Sequence, residues 1–144
     1  MYINGNIAVT GTINGADVAE GVNCPGCASA DVVVIDPKHN LKFKKSTTAY
    51  DSTVAGVISE KPTLNLNKGN SKDINPLALA GLVKCKATTE NGAIKRGDLL
   101  VTSSKAGYAM RADIDKLKPG MVIGKALEPL EKGEGKISVI IKGN

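Results

Sequence analysis

Residues 97–128 read GDLLVTSSKAGYAMRADIDKLKPGMVIGKALE, and a related pattern stands at residues 30–60 as ADVVVIDPKHNLKFKKSTTAYDSTVAGVISE. Each copy opens with a small residue and an acid, followed by an apolar run, a polar turn, a second short strand and Val-x-Gly. The second copy follows the first by 67 residues at the hairpin and by 68 at the glycine. Two copies are too few for a solenoid and indicate a small barrel or clip built from two related hairpins.

The remaining segments favour the same class of fold. Short alternating runs separated by turn residues predict eight to twelve strands, roughly one every 8 to 12 residues, as in small barrels and sandwiches. We therefore expect an all-β barrel or β-clip-like domain over residues 21–144, preceded by a strand-forming, fibre-like segment over residues 1–20. Strict alternation at the end of residues 76–87 turns Cys85 inward, although a helix over residues 77–83 is an alternative.

The composition limits the function. Of the 144 residues 42% are hydrophobic, with no Trp and one Phe, so we expect an aliphatic core and one compact domain. The net charge of +5 comes from 17 Lys but only 2 Arg, and the lysines are dispersed. Nucleic-acid readers favour Arg and aromatic platforms, so nucleic acid is an unlikely partner, and a lysine-rich module for another anionic ligand stays an alternative.

The sequence also bears on where in the cell the protein is expected. No apolar stretch approaches the roughly 18 residues of a membrane span. The opening residues MYINGNIAVTG lack the basic and apolar regions of a secretory signal. We expect a protein made in the cytoplasm, with no membrane partner and no cofactor.

The cysteines offer three interpretations. Cys24-Pro25-Gly26-Cys27 is a CxxC motif, and Cys85 stands alone. A zinc site needs four ligands, and the single His39 has no spacing relation to the motif, so no metal is expected. Thioredoxin-type chemistry needs a strand-to-helix junction, which this sequence does not predict. A Cys24–Cys27 disulfide that clamps a turn, or two free thiols, remain open.

Candidate catalytic residues are few. His39 lies in a predicted turn, where a histidine is usually exposed to solvent. Asp17 and Glu20 would share a face if residues 17–20 formed a helical turn, and paired carboxylates can act as acid and base. Turn residues without catalysis are the simpler interpretation, and no catalytic residue is firmly assigned.

The order of short motifs resembles the C-terminal domains of phage tail-spike, tail-fibre and appendage proteins, including the self-cleaving intramolecular-chaperone domains. The residues that carry this resemblance are GADVAE at 15–20, VAGVIS at 54–59 and AGLVKC at 80–85, after the fibre-like GNIAVTGTI at 5–13. A weaker similarity, through GDLLV and VIGKA, is to small β-barrel capsid-decoration proteins.

The resemblance implies a β-rich homotrimer that assists the folding of a fibre and in some members cleaves itself near the stretch matching Asp17 and Glu20. We therefore predict a non-catalytic assembly module on a virion or particle surface, with a fibre shaft, capsid or tail protein as partner, and self-cleavage as an alternative. The predicted trimer contacts lie in the N-terminal segment, at Tyr2, Ile3, Ile7, Val9 and Ile13.

Overall fold

The structure, a computed structural model, describes residues 4–142, and within them it contains ten strands, a single 3-10 turn and no α-helix. This confirms the predicted all-β barrel. The strands are β1 (Asp17–Asn23), β2 (Val32–Ile35), β3 (Phe43–Lys45), β4 (Val54–Val57), β5 (Leu64–Leu66), β6 (Ile74–Thr88), β7 (Leu99–Thr102), β8 (Ala109–Arg111), β9 (Gly124–Ala126) and β10 (Glu134–Ile141), with the turn at Ile114–Lys116.

The second sequence copy belongs to a closed five-stranded barrel, barrel 2. Its strands follow one another around the ring as β6, β10, β9, β7 and β8, and β8 returns to β6. Four of these pairings are antiparallel, and the closing β8–β6 pairing is parallel. All of the edges inside this ring are therefore paired.

The first copy forms the three-stranded sheet β3-β2-β4, which is the centre of a second ring, barrel 1. An antiparallel bridge between Ile58 and Leu77 joins the end of β4 to β6, and β6 pairs with β1. A parallel bridge between Asn23 and Lys42 then joins β1 to the start of β3. Barrel 1 thus repeats the strand order and directions of barrel 2. Two of its five pairings are single bridges, whereas barrel 2 has one pairing of a single residue pair, Ala87 with Ala109.

The equivalence extends to individual residues. Val33 lies opposite Gly56 in barrel 1, and Leu100 lies opposite Gly124 in barrel 2, at the offsets of 67 and 68 read from the sequence. A side chain at Gly124 would place its Cβ 2.3 Å from the carbonyl oxygen of Ile140. The glycine of Val-x-Gly therefore permits close approach of the next strand.

The long strand β6 serves both barrels. Its first half closes barrel 1 against β1 and β4, and its second half closes barrel 2 against β10 and β8. The change occurs at Gly81, which pairs with Asp17 on β1 and with Ile141 on β10. A single buried cluster accordingly contains residues of both copies, such as Val32 and Leu100.

The apolar runs of the two copies reflect this arrangement. Val33 points into barrel 1, where it packs with Leu77, whereas the neighbouring Val32 packs into the core shared with barrel 2. Both faces of β2 are therefore covered, and three consecutive valines are buried. A strand buried on both faces shows a continuous apolar run rather than alternation.

Most local expectations are confirmed. Cys85 is buried, and β6 excludes the alternative helix over residues 77–83. Residues 4–16 form no strand in a single chain and β1 begins at Asp17, so the strand-forming segment predicted over residues 1–20 stays a prediction. The predicted domain boundary after residue 20 stays a prediction, and β1 runs across it.

A buried acid fixes the junction between the barrels. Asp31 is 1% exposed, and its carboxylate accepts a hydrogen bond of 2.8 Å from the backbone N–H of Ala28. Its equivalent Asp98 accepts the same bond, at 2.8 Å, from Lys95. Only Asp31 also binds a lysine of the other barrel, because Lys86 on the second half of β6 reaches it at 2.5 Å. Both copies therefore contain this turn, but only the turn of the first copy forms an ion pair with the other barrel.

Gly81→Ala should destabilise the fold strongly. Its φ of 118° is rarely adopted by other residues, and an added Cβ would lie 2.3 Å from the carbonyl oxygen of Ala16 and 2.8 Å from the Cα of Asp17. Backbone strain and overpacking together predict a loss of about 3 kcal/mol or more in the free energy of unfolding. Gly133→Ala is the control, since Gly133 has a φ of 85° but open space around it, and should cost about 1–2 kcal/mol. Urea titrations that give equal losses would contradict a crowded junction at Gly81.

Asp31→Asn tests the ion pair between the barrels. The substitution leaves Lys86, and Lys45 at 3.4 Å, facing a neutral amide. Removing one partner of a buried pair costs about 3–5 kcal/mol, and we expect the lower end because both lysines partly reach solvent. Asp98→Asn removes a carboxylate from the equivalent turn and should cost about 1 kcal/mol. Similar urea midpoints for the two variants would show that the lysine contacts contribute nothing.

Candidate functional site

The acidic stretch GADVAE does not form the predicted helical turn. Asp17 and Glu20 both lie on β1, where Asp17 is buried and Glu20 is exposed. Residues three apart in a strand point to opposite faces, so the structure does not bring the two carboxylates together. The expectation that they share a face is therefore wrong, and the reason is that a stretch of four residues fits a strand as well as one turn of a helix.

The CxxC motif closes the turn that follows β1. The structure joins Cys24 and Cys27 in a disulfide, with their Cα atoms 5.6 Å apart. The Cys24 side chain is buried in the interior of barrel 1 beside Val33 and Leu77, and the half-buried Cys27 packs against the same cluster. The disulfide thus lies in the core of barrel 1.

The internal repeat gives a reason for a cross-link at this point. Ala28 and Lys95 make equivalent hydrogen bonds in the two copies, which places Cys27 at the position of Ile94. Ile94 is buried in the core of barrel 2 and pairs with Leu130. We infer that Cys27 and its bond to Cys24 take the place of that core contact in barrel 1.

Cys85 is chemically protected. It is the free cysteine among the described residues, and burial, together with the nearby charge of Asp31, raises the pKa of its thiol to about 12. A thiol becomes nucleophilic or metal-binding only as the thiolate. Cys85 therefore contributes to packing, and residues 4–142 contain no group of three or more His, Cys, Asp and Glu side chains that could hold a metal.

His39 lies on the exposed turn between β2 and β3. Its Nδ1 is 3.0 Å from a carboxylate oxygen of Asp36. The backbone N–H of Lys38 and then the His39 side chain hold the pKa of the Asp36 carboxyl below its ordinary value. These contacts organise the turn, and they pair the imidazole with a carboxylate rather than with a nucleophile.

The N-terminal segment carries exposed apolar side chains. Ile7, Val9 and Ile13 are 69%, 55% and 65% exposed. They lie on residues 4–16, which have no strand partner within the part of the chain that the structure describes. The other two predicted contact residues, Tyr2 and Ile3, lie outside the described residues.

The lysines are distributed over the surface as ion pairs and free side chains. Lys84 binds Glu128 at 2.8 Å, and Lys136 binds Glu60 at 2.7 Å. Lys84, and then Ser138, hold the pKa of Glu128 at about 2. No helix in residues 4–142 has the length and apolar character needed to cross a membrane.

Sequence reasoning missed the importance of Asp31. The signal was present, because both copies open with a small residue and an acid, Ala30-Asp31 and Gly97-Asp98. Ala30 has a φ of 68°, in the left-handed region that Gly97 adopts freely. A repeated acid after a left-handed residue indicates a conserved turn geometry between the copies, but the lysine partner comes from a distant strand.

Comparison with known proteins adds little. No protein-family model matches the chain, and no curated protein matches it. Among solved structures, it is similar to the head fiber gp8.5 N base in bacteriophage phi29, with 20% identity over 86% of this chain and 92% of that one, at a TM-score of 0.49. At that identity and score the likeness carries no argument about fold or function.

Reducing the Cys24–Cys27 disulfide should weaken the fold. The bond closes a four-residue ring, for which the chain-entropy relation gives about 2 kcal/mol. We expect a reductant to lower the free energy of unfolding by about that amount, measured by urea titration. The Cys27→Ala variant provides the control, because its stability should not change with reductant. Equal stability of the oxidised and reduced wild-type protein would show that the disulfide does not support barrel 1.

Proposed function

We propose that the chain is a non-catalytic structural module, a homotrimeric terminal domain of a phage fibre or particle-surface protein. The observation that carries the proposal is the N-terminal segment, which presents Ile7, Val9 and Ile13 to solvent in a single chain. Burying each large aliphatic side chain stabilises an assembly by about 1.5–3 kcal/mol. Three such side chains on one short segment favour contact with other copies.

A threefold arrangement gives these side chains a shared environment. In a closed cyclic assembly the same segment of every copy meets its equivalents or a neighbouring copy around the axis. The extended segment also supplies backbone groups that neighbouring chains could pair with. This supports an intertwined N-terminal region beside compact barrels.

The proposed setting is a virion or particle surface, with a fibre shaft, capsid or tail protein as the neighbouring partner. The support for this setting is the resemblance of the short motifs at residues 5–20, 54–59 and 80–85 to phage appendage domains. The two barrels supply a compact body with a continuous core, which suits a load-bearing role.

Self-cleavage near Asp17 has less support from the geometry. Asp17 and Glu20 lie on opposite faces of β1, so one cannot act as acid and the other as base on the same bond. The module is therefore proposed to act through assembly alone. Prolonged incubation separates the two activities, because cleavage shortens the chain.

Native mass spectrometry of the purified chain tests the assembly. We expect an uncut trimer both when fresh and after one week. Replacing Ile7, Val9 and Ile13 together by Ser should yield monomers, because the apolar contacts are lost. Leu41→Ser is the control, since Leu41 is 91% exposed on a distant turn, and this variant should remain trimeric.

Other outcomes of these measurements would contradict the proposed assembly. A wild-type monomer at micromolar concentration, or a triple variant that stays trimeric, contradicts assembly through this segment. A chain shortened near Asp17 would establish self-processing instead.

A further inference from the structure

Strand β5 lies outside both barrels. Barrel 1 contains β1, β2, β3, β4 and β6, and barrel 2 contains β6 to β10, so neither ring includes β5. It pairs in parallel with β1, and no strand of residues 4–142 pairs with its other side. The edge of a sheet carries backbone N–H and C=O groups that can pair with another chain. β5 therefore offers an open edge to which a strand can be added.

The outer face of β5 is apolar. Leu64 and Leu66 alternate along the strand and are 48% and 44% exposed, so both side chains lie on the outer face. Val18 on β1 pairs with Leu64 and is 37% exposed, which extends this face across two strands. We call these three side chains the β5 patch. An apolar patch beside an open edge suits an added strand that has a matching apolar face.

The N-terminal segment has the matching pattern. Residues 5–13 read GNIAVTGTI and contain no charged side chain, as the β5 patch contains none. The three exposed apolar side chains of this segment would lie on one face of an extended strand, because their positions differ by even numbers. Ile7 and Val9 have the same spacing as Leu64 and Leu66. The two pairs can therefore lie side by side when the strands pair.

The path of the chain leads the segment away from the open edge of its own β5. β1 and β5 are parallel and begin at the same end of the sheet, where the backbone N–H of Thr63 donates a hydrogen bond of 2.9 Å to the carbonyl oxygen of Asp17. The segment reaches this end past Gly15, where an added Cβ would overlap the Thr63 side chain. To run along the open edge it would have to turn back and cross the start of β5. A second copy can meet that edge without this reversal.

We propose that the open edge of β5 accepts residues 5–13 of a second copy as an added strand, with Ile7 and Val9 of that copy against the β5 patch. This inference rests on the proposed assembly and identifies the surface that receives the segment. Each copy donates one segment and accepts one, which is a head-to-tail contact that closes a ring when the rotation permits. Backbone hydrogen bonds supply the affinity, and the alternate side chains supply the register.

Leu64→Lys combined with Leu66→Lys tests the patch. Both side chains are largely exposed in the single chain, so the barrels should still fold, and lysines on an edge strand oppose strand addition. We expect monomers by native mass spectrometry where the wild type is trimeric, with the dissociation constant raised by about a hundredfold or more. Ile35→Lys combined with Ile114→Lys is the matched control, because these side chains are 53% and 66% exposed and lie on other elements. Equal dissociation of the control, or a trimeric Leu64 and Leu66 variant, would overturn the proposal.

Thr10→Pro combined with Gly11→Pro tests the backbone pairing. Successive residues of a strand direct their N–H groups to opposite sides, so one of the two prolines removes a donor from the side that meets β5. The apolar side chains are unchanged, and the segment has no strand partner among the described residues of its own chain, so the barrels should keep their stability. We expect monomers, whereas Thr10→Ala combined with Gly11→Ala should stay trimeric because it keeps both N–H groups. This pair decides the question even if the lysine variant does not fold, and a trimer that contains both prolines contradicts an added strand.

Mixed assemblies show which copy supplies the segment. A nitroxide spin label is attached to a Thr10→Cys chain, which is then assembled with isotope-labelled chains that carry no spin label. The label is selective, because Cys24 and Cys27 form a disulfide and Cys85 is buried. We expect strong broadening of the β5 amide signals in the isotope-labelled chains, whose own segments carry no label. A trimer without this broadening would show that the segment does not lie on the β5 of another copy.

The outcomes separate this inference from the proposed function. If the wild type is trimeric and the Ile7, Val9 and Ile13 to Ser variant dissociates, while the lysine and proline variants stay trimeric, the assembly stands and β5 is not the acceptor. A wild-type monomer overturns both the assembly and the added strand.

Discussion

The structure depends on strand β6, which forms part of both barrels. β6 is paired along its first half with β1 and along its second half with β10, and the two pairings meet at Gly81. Neither ring is complete without it. Because the partners are separated from β6 by long stretches of sequence, neither barrel can close by local contacts alone, and we expect the two to fold cooperatively.

The repeat explains why the two barrels are alike and also where they differ. Barrel 2 is closed by pairings between named strands, one of which is the single pair Ala87–Ala109, whereas barrel 1 includes two isolated bridges, at Ile58–Leu77 and Asn23–Lys42. The features that have no counterpart in the second copy are the Cys24–Cys27 disulfide and the lysines on Asp31. Both add constraints to the copy whose ring includes two isolated bridges.

The duplicated pattern and the parity of Cys85 could be predicted from the sequence, because both are local. The double role of β6 could not, since its apolar alternation shows that it is a strand but not which strands lie beside it. The stretch around Asp17 was misassigned for a related reason: four residues fit one turn of a helix and a strand equally, and only pairing with Gly81 decides between them. Residues 4–16 alternate as strands do, but a strand needs a neighbour, and a single chain supplies none in the part that is described.

The position of the candidate sites links assembly to folding. The exposed N-terminal segment leaves the barrels at Ala16, whose carbonyl oxygen accepts a hydrogen bond from Leu82 on β6. The next residue, Asp17, pairs with Gly81. Any partner that holds the segment therefore acts within one residue of the junction that both barrels share. A ligand that binds only the folded state raises the free energy of unfolding, by an amount that grows with the logarithm of the ligand concentration divided by Kd. Assembly at this point would therefore stabilise both barrels together, rather than only the segment that makes the contact.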